Sequence, residues 1–307
     1  MHQEIIRRTN RWNAFFREDV DAPRHMFILR VPTNLGPRPY PLPGNIQDRI
    51  DYASRLYDYQ MAQMEWLPDD MVPHLDPFTG TELFAEAFGC TVHYPDDNMP
   101  FAHSCITNPN EVDGLSIPDL GTPALERVFT IADTLCQRAG HEAVMRLPDT
   151  QSPLDIAALI WDKTEFYPAF VEAPDAIKLL ISKTMTLFTN FFDAWFNRYG
   201  SSCIAHCPEY YLERGITLSE DEVGIISVDM FEEFALPSLV EISNRYGAIG
   251  IHCCADSIHQ WSAFRTIPGV KLLNLRHLIA REAYAYFANH TAQMHGCLTS
   301  QKECDVL

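Results

Sequence analysis

The chain has 307 residues, of which 47% are hydrophobic and 21% charged, a composition that allows a large buried core and excludes a disordered chain. Its 41 acidic and 23 basic residues give a formal net charge of −18. Because that charge repels phosphate backbones and anionic lipids, nucleic acids and membranes are not expected as partners. Nine cysteines without framework spacing, no signal-peptide pattern and no membrane-length apolar run predict a cytoplasmic protein with free thiols.

Short apolar runs alternate with longer helical patterns along the chain. The runs that predict strands are residues 25–31, 66–72, 143–147, 203–207, 247–254, 270–275 and 292–297. The clearest helical pattern covers residues 175–199, where large apolar side chains recur at three- and four-residue spacing. An insertion around residues 90–120 carries prolines and polar residues, and we expect it to form a hairpin or a meander.

This alternation predicts an α/β fold with a parallel sheet. We expect one (β/α)8 TIM-type barrel domain over residues 1–307, with its active site at the carboxyl ends of the strands. An open doubly wound sheet is the alternative, but the segment VPTNLGPRP is a poor version of the glycine-rich phosphate turn that such a sheet usually carries. The seven strand candidates are one short of eight, which leaves open that the last β/α unit is missing.

A His-x-Cys pattern at the end of an apolar run is the most informative local feature. Side chains two residues apart on a strand project to the same side, so His252 and Cys254 can converge while Cys253 faces away. An imidazole and a thiolate suit zinc. The alternative is that these cysteines only pack in the core. Cys297 is the preferred third ligand; His295, Cys304 and Cys207 are less favoured.

Other polar side chains follow predicted strands and are candidates for the same pocket. Two carboxylates are candidate catalytic groups, and four further side chains are candidate substrate-binding groups. In chain order these six residues are Arg30, Asp70, Asp149, Gln151, His206 and Tyr210. Ordinary structural roles, such as helix capping, solvated turns and loop bracing, are the alternative for each of them.

Several segments together resemble the uroporphyrinogen decarboxylase superfamily. They are RWNAFFRED, DDMVP, FAEAFGC, LPDTQSPLDIAALIWD, GITLSEDEVGIISVDMFEEFALPSLVEI and IGIHCCAD. They occur in order over nearly the whole chain, and the resemblance implies a (β/α)8 barrel. In the decarboxylase branch, Arg30 and Asp70 fall at the positions of a porphyrinogen-binding arginine and an aspartate. The second arginine of that branch is missing and its tyrosine is replaced by Leu159, so uroporphyrinogen is a poor substrate candidate.

The cobalamin-dependent methyltransferase branch resembles this sequence better, because it carries the His-x-Cys pattern of His252 and Cys254. The resemblance implies a zinc ion that activates an acceptor thiol, with methylcobalamin carried by a separate corrinoid-binding protein. It also implies a third ligand, a cysteine after the eighth strand, for which Cys297 is the candidate.

Three functions therefore remain in view. The first is a zinc-dependent methyltransferase with a corrinoid protein partner and a small-molecule acceptor, either a thiol or a folate-like compound. The second is a cofactor-free decarboxylase that holds a carboxylate with Arg30 and Asp70. The third is a non-catalytic subunit of a methyltransferase complex, motivated by the strand count. The oligomeric state is left open.

Overall fold

The protein is an α/β structure in the computed structural model, which describes residues 2–19, 21–276, 280–288 and 290–293. The described helices are α1 (Gln3–Arg17), α2 (Ile46–Gln63), α3 (Leu83–Ala87), α4 (Glu111–Gly114), α5 (Pro123–Ala139), α6 (Pro153–Ile160), α7 (Lys163–Glu172), α8 (Pro174–Tyr199), α9 (Val228–Met230), α10 (Leu236–Tyr246), α11 (Trp261–Phe264) and α12 (Ala280–Phe287). The described strands are β1 (His74–Leu75), β2 (Thr91–His93), β3 (Phe101–His103), β4 (Val144–Arg146), β5 (Cys203–Ile204), β6 (Tyr211–Leu212), β7 (Ile216–Ser219), β8 (Ile249–Cys253), β9 (Val270–Leu275) and β10 (Ala292–Gln293).

Seven of these strands run parallel to their neighbours in two four-stranded sheets. One sheet has the order β1-β4-β5-β6, in which only the β5–β6 pair is antiparallel, and the other has the order β10-β9-β8-β7. A parallel bridge between Gln151 and Ser219 joins the chain after β4 to the end of β7. Parallel strands separated by helices are the arrangement predicted from the sequence, and they are consistent with a TIM-type barrel.

Two predicted strands are placed differently by the structure. Residues 25–31 have no regular secondary structure, and residues 66–72 form the approach to β1 rather than a strand. Conversely, Ile216–Ser219 forms β7, which was absent from the sequence-based count. That strand is four residues long and fully buried, and its Thr and Ser side chains hide the apolar pattern. With β7 added and residues 25–31 removed, the described residues contain seven parallel strands, so the count stays one short of eight.

The predicted insertion and the predicted long helix both occur. Within residues 90–120, β2 and β3 pair as an antiparallel hairpin, and α4 follows. Helix α8 buries the aromatic side chains expected from its spacing, including Phe188, Phe191, Phe192 and Trp195. Each fully buried side chain of this size contributes roughly 1.5–3 kcal/mol. Among the described residues, no helix is long and apolar enough to cross a bilayer.

Helix α1 is held to the residues before β1 by buried charges. The Arg8 side chain is fully buried and donates to Asp69 Oδ1 at 2.6 Å and to two backbone carbonyls. Asp70 accepts from Arg11 and from the backbone N–H of Phe27. Asp69 also accepts from the backbone N–H of Leu29. The two aspartates therefore bind both α1 and the segment from Phe27 to Leu29.

Replacing Arg8 is expected to destabilise the fold strongly. Arg8→Ala leaves the Asp69 carboxylate buried without its cation, at a cost of about 3–5 kcal/mol. Arg7→Ala is the matched control, because the Arg7 side chain is 49% exposed and pairs with Glu4 at the surface; its expected cost is about 0–1 kcal/mol. Urea unfolding of both variants measures the difference, and equal losses would show that the buried pair does not anchor α1.

Candidate metal centre

Four polar side chains lie side by side across neighbouring strands at their carboxyl ends. The register pairs Ser219 of β7 with His252 of β8, and His252 with Asn274 of β9. The bridge after β4 adds Gln151 opposite Ser219. Because adjacent parallel strands are only about 4.8 Å apart, paired positions form one continuous polar row. This row is the floor of the candidate site.

A β-bulge sets the partner of His252. The ladder between β8 and β9 shifts after the pair Ile249 and Val270, so that Gly250 pairs with Leu272. Without the extra residue on β9, His252 would pair with Leu273 instead of Asn274. Gly250 is required beside the bulge, because a Cβ there would lie 1.9 Å from the Tyr210 hydroxyl oxygen. Local irregularity therefore places an amide beside the imidazole.

The contacts of His252 fix the state of its ring. Nδ1 lies 2.6 Å from Asn274 Oδ1 and 3.8 Å from Cys207 Sγ. An amide oxygen only accepts hydrogen bonds, so Nδ1 carries a proton, and Nε2 is the nitrogen that would bind a metal after losing its own proton. Burial opposes a positive charge on the ring, but contacts with Cys207, Asn274 and Asp221 outweigh it and raise the pKa of His252 to about 9.

Asp221, His252 and Cys254 bring one potential ligand atom each to within 4.8 Å of one another. Cys254 is exposed and Cys253 is buried, as the two-residue spacing predicts. The Cys254 backbone N–H donates to Asp221 Oδ1 at 2.6 Å. Burial and the Asp221 carboxylate raise the pKa of the Cys254 thiol to about 11. In the absence of a cation, this environment keeps the thiol protonated.

Asp155 holds the residues that carry Asp221. It lies in the first turn of α6, where the Ser152 hydroxyl accepts from the Asp155 backbone N–H. The Asp155 carboxylate is buried and accepts from the backbone N–H groups of Asp221 and Glu222, at 2.8 and 3.0 Å. Asp155 therefore acts as a brace behind the candidate ligand rather than as a solvated helix-end charge.

His206 and Tyr210 are both committed to contacts within the protein. The His206 ring bonds through both nitrogens, to Thr217 Oγ1 at 2.9 Å and to Ser219 Oγ at 3.0 Å. Burial, with the nearby charges of His252 and Arg146, holds the pKa of His206 well below its usual range. Tyr210 is 2% exposed and packs against Trp12 and Phe16. These contacts favour support of the site over the predicted substrate binding.

Asp149 and Gln151 lie close to the candidate ligands. Gln151 Nε2 donates to Asp149 Oδ1 at 2.7 Å. Burial raises the pKa of Asp149, and the neighbouring Asp221 charge acts in the same direction, against Gln151, Arg146 and His252. The electrostatic contacts with both Asp221 and His252 indicate that this carboxyl lies near the candidate ligands. Its catalytic role stays a prediction.

Arg30 and Asp70 are not brought to that pocket by their contacts. The Arg30 side chain is 68% exposed and lies 3.7 Å from Glu209, while Asp70 is bound to Arg11 and to the Phe27 backbone. Asp70 was predicted to follow the second strand, but β1 begins only at His74, so Asp70 precedes it. The prediction that these two residues form a carboxylate site is therefore not supported by their placement.

A different acid–base group occupies the carboxyl ends of β1 and β4. Asp76 Oδ2 lies 2.5 Å from Arg146 and 2.6 Å from Arg38, and Arg146 also lies 3.1 Å from Glu209. Burial opposes ionisation of Asp76, but the two guanidinium groups hold its pKa well below the usual range. Sequence reasoning missed this group because β1 has only two residues and follows a proline.

Asp221 was also missed, and Cys297 lies outside the described residues. Asp221 lies two residues after β7, and β7 is the neighbour of β8, the strand that leads to the His-x-Cys pattern. This position is the signal that could have identified Asp221. The acidic segment SEDE gave no reason to choose one carboxylate until β7 was identified. Cys297 stays a prediction, as do the less favoured His295 and Cys304.

The donor set of the site fits zinc. A carboxylate, an imidazole and a thiol are all common zinc ligands, with bonds of about 2.0–2.3 Å. The donor atoms of such a site lie roughly 3.5 Å apart, so donors already within 4.8 Å need only small rotations. Three protein ligands would leave a fourth position for a substrate atom, which is the pattern of a catalytic site.

Comparisons with known proteins agree with the architecture. Residues 77–298 match the family model described as uroporphyrinogen decarboxylase (URO-D). The fold is similar to that of a methyltransferase from Methanosarcina mazei, with a TM-score of 0.65 over 93% of this chain and 81% of that chain. The two sequences are 12% identical, so this likeness concerns the fold. No curated protein sequence matches the chain.

A buried carboxyl group lies behind Asp149. Glu82 is 4% exposed, and its Oε2 has no hydrogen-bond partner among the described residues. Gly80 leaves room for that oxygen, since a Cβ there would lie 2.3 Å from it. Burial raises the pKa of Glu82 to about 7, with Asp149 and Glu86 adding to the effect. The folded protein therefore holds a proton on Glu82 that the unfolded chain loses near its ordinary pKa of 4.5.

This difference makes stability depend on pH. Between pH 4.5 and 7 the folded state binds more protons than the unfolded state, so the free energy of unfolding falls as pH rises, by at most about 1.4 kcal/mol per pH unit. Glu82→Gln removes this titration, and the variant is expected to gain stability over the parent between pH 5 and pH 8. Urea unfolding at both pH values measures the gain; the exposed Glu165→Gln is the control. An equal difference at the two pH values would contradict the account.

Proposed function

Because the chain belongs to the uroporphyrinogen decarboxylase family, we propose that it is a zinc-dependent methyltransferase. It moves a methyl group between methylcobalamin carried by a corrinoid-binding protein and a small-molecule acceptor, either a thiol or a folate-like compound. The observation that carries the proposal is the convergence of Asp221, His252 and Cys254 at the carboxyl ends of two adjacent strands. The fold likeness to a methyltransferase supports the same class.

In this proposal His252 and Cys254 hold the metal and Asp221 is the third ligand. Cys297, which the family resemblance implies, is the alternative third ligand. Zinc supplies a positive charge that lowers the pKa of a thiol bound to it, so that the thiolate is available near neutral pH. The protein keeps the metal ligands in place through Asn274, which orients the His252 ring, and through Asp155, which fixes the backbone at Asp221.

Asp149 and Gln151 are the polar groups that the pocket offers to the acceptor. The Gln151 amide is turned toward Asp149 by their hydrogen bond, which leaves its carbonyl oxygen to accept from a ligand. Asp149 is held in turn by Thr79, whose hydroxyl oxygen accepts from the Asp149 backbone N–H at 2.7 Å. Both side chains are thus oriented before a substrate arrives, which reduces the cost of binding it.

The two other candidate functions have less support. A decarboxylase that uses Arg30 and Asp70 would need both at one pocket. Both carboxylate oxygens of Asp70 already accept hydrogen bonds, one from Arg11 of α1 and one from the Phe27 backbone N–H. The arginines near the pocket, Arg38 and Arg146, are already neutralised by Asp76 and Glu209. The non-catalytic alternative rests on the strand count alone, whereas the convergence of three potential ligand atoms favours a metal-dependent enzyme.

Metal content and methyl transfer test the proposal together. Protein reloaded with zinc under reducing conditions is expected to hold about one zinc per chain, and to demethylate free methylcobalamin in the presence of a small thiol. Cys254→Ala is expected to lose both properties, since it removes the thiolate ligand. Elemental analysis and the absorbance of methylcobalamin under anaerobic conditions are the two readouts.

Cys253→Ala is the matched control. It removes the adjacent thiol, which is buried and faces away from the donor group, so zinc and transfer should both remain. A reloaded parent protein that holds no zinc would sink the proposal. Zinc retained in Cys254→Ala at the parent level would show that the metal binds elsewhere.

A further inference from the structure

Two thiols meet at the base of the β2–β3 hairpin, away from the Asp221, His252 and Cys254 cluster. Cys90 immediately precedes β2, and Cys105 lies two residues after β3. Their Sγ atoms are 3.4 Å apart, although the two residues are 15 positions apart in sequence. A disulfide bond is about 2.05 Å long, so an approach of little more than one ångström separates this contact from a covalent bond.

The backbone holds both cysteines in place. The Cys90 N–H donates to the Ala85 carbonyl at 3.0 Å, and the Cys105 N–H donates to the Ile160 carbonyl at 2.9 Å. The paired strands β2 and β3 fix the chain between them, with Thr91 opposite His103. Because the two ends are anchored independently, the two thiols are held in contact.

The two thiols differ in access and acidity. Cys105 is exposed, whereas Cys90 is 4% exposed. The hydrogen bond from Cys90 lowers the pKa of Cys105 to about 7, against burial and the charge of Glu111. The thiol of Cys136, which has no such partner, has its pKa raised to about 11 by burial and by Asp133. An accessible, acidic thiol backed by a second thiol is the arrangement of redox-active cysteine pairs.

We propose that Cys90 and Cys105 form a reversible dithiol–disulfide pair that responds to small-molecule disulfides such as oxidised glutathione. The Cys105 thiolate attacks one sulfur of the reagent, forms a mixed disulfide and releases one glutathione thiolate. Cys90 then loses its proton to water and attacks the Cys105 sulfur, which releases the second glutathione thiolate. The protein thereby loses two protons and two electrons, and the reagent is reduced to two thiols.

The bond would join the two ends of the β2–β3 hairpin. The tip of the hairpin leads to Met99, whose Cε lies 3.1 Å from the position of a Cβ at Gly80. Gly80 lies between Thr79, which supports Asp149, and the buried Glu82. Oxidation therefore closes the base of a segment that packs on the supports of Asp149.

Titration with glutathione redox buffers tests the pair. The full-length protein is equilibrated over a range of oxidised-to-reduced ratios, quenched by alkylation and digested without reduction. A protease that cleaves at aspartate separates the two cysteines at Asp96 and Asp97, whereas trypsin does not, because no lysine or arginine lies between them. We expect disulfide-joined peptides containing Cys90 and Cys105, a mass lower by two hydrogen atoms, and full reversal by dithiothreitol.

Single variants test the order of the steps. In Cys90→Ser, Cys105 is expected to accumulate a stable glutathione adduct, because the resolving thiol is gone. In Cys105→Ser, Cys90 is expected to remain a free thiol, because it is buried. Cys136→Ser, which removes a buried thiol elsewhere, should leave the joined peptides unchanged.

Three results would overturn the proposal. One is a wild-type protein that carries glutathione on Cys105 at every ratio but yields no joined peptides. Another is a bridge from Cys90 or Cys105 to a different cysteine. The third is modification of Cys90 in Cys105→Ser at the wild-type rate. Since none of these readouts uses zinc or methyl transfer, the outcome is independent of the proposed function.

Discussion

The register of the parallel ladder is the constraint on which the candidate site depends. Neighbouring strands align Ser219, His252 and Asn274, and a bridge adds Gln151 to the same row. Strand pairing is set by backbone hydrogen bonds and by the buried apolar faces, so a slip of one residue would turn every side chain of the row to the other face. The bulge after Ile249 shows how local this control is, because it alone selects Asn274 over Leu273 as the neighbour of His252.

Buried polar groups next to this row fix the positions of Ser219 and of the backbone at Asp221. His206 spans Thr217 and Ser219, and Asp155 holds the backbone at Asp221. Buried polar groups are costly unless they are hydrogen-bonded, so such a network is stable in only one arrangement. The candidate ligands are therefore brought together by the fold itself, and a metal ion would need to contribute only the last adjustment. That preorganisation is what a site needs if it is to bind a cation and an acceptor at once.

Much of this arrangement could be predicted from the sequence, and the failures have physical causes. The two-residue spacing of His252 and Cys254 was sufficient to predict their convergence, because strand geometry is local. The α/β class and helix α8 followed from periodicity. Asp221 could not be chosen, because its strand is short and carries Thr and Ser on buried positions. Asp76 was missed because the two-residue strand β1 leaves no periodic pattern, and only the pairing of β1 with β4 reveals that strand.

X-ray absorption at the zinc edge, on the zinc-loaded protein, tests the central claim most directly. The account predicts one sulfur at about 2.3 Å together with nitrogen and oxygen donors at about 2.0–2.2 Å, as expected for Cys254, His252 and Asp221. A second sulfur would assign the third protein position to another cysteine such as Cys297, while keeping the thiolate–imidazole centre. A zinc ion with only nitrogen and oxygen neighbours would contradict the account, because the metal would then lie away from Cys254.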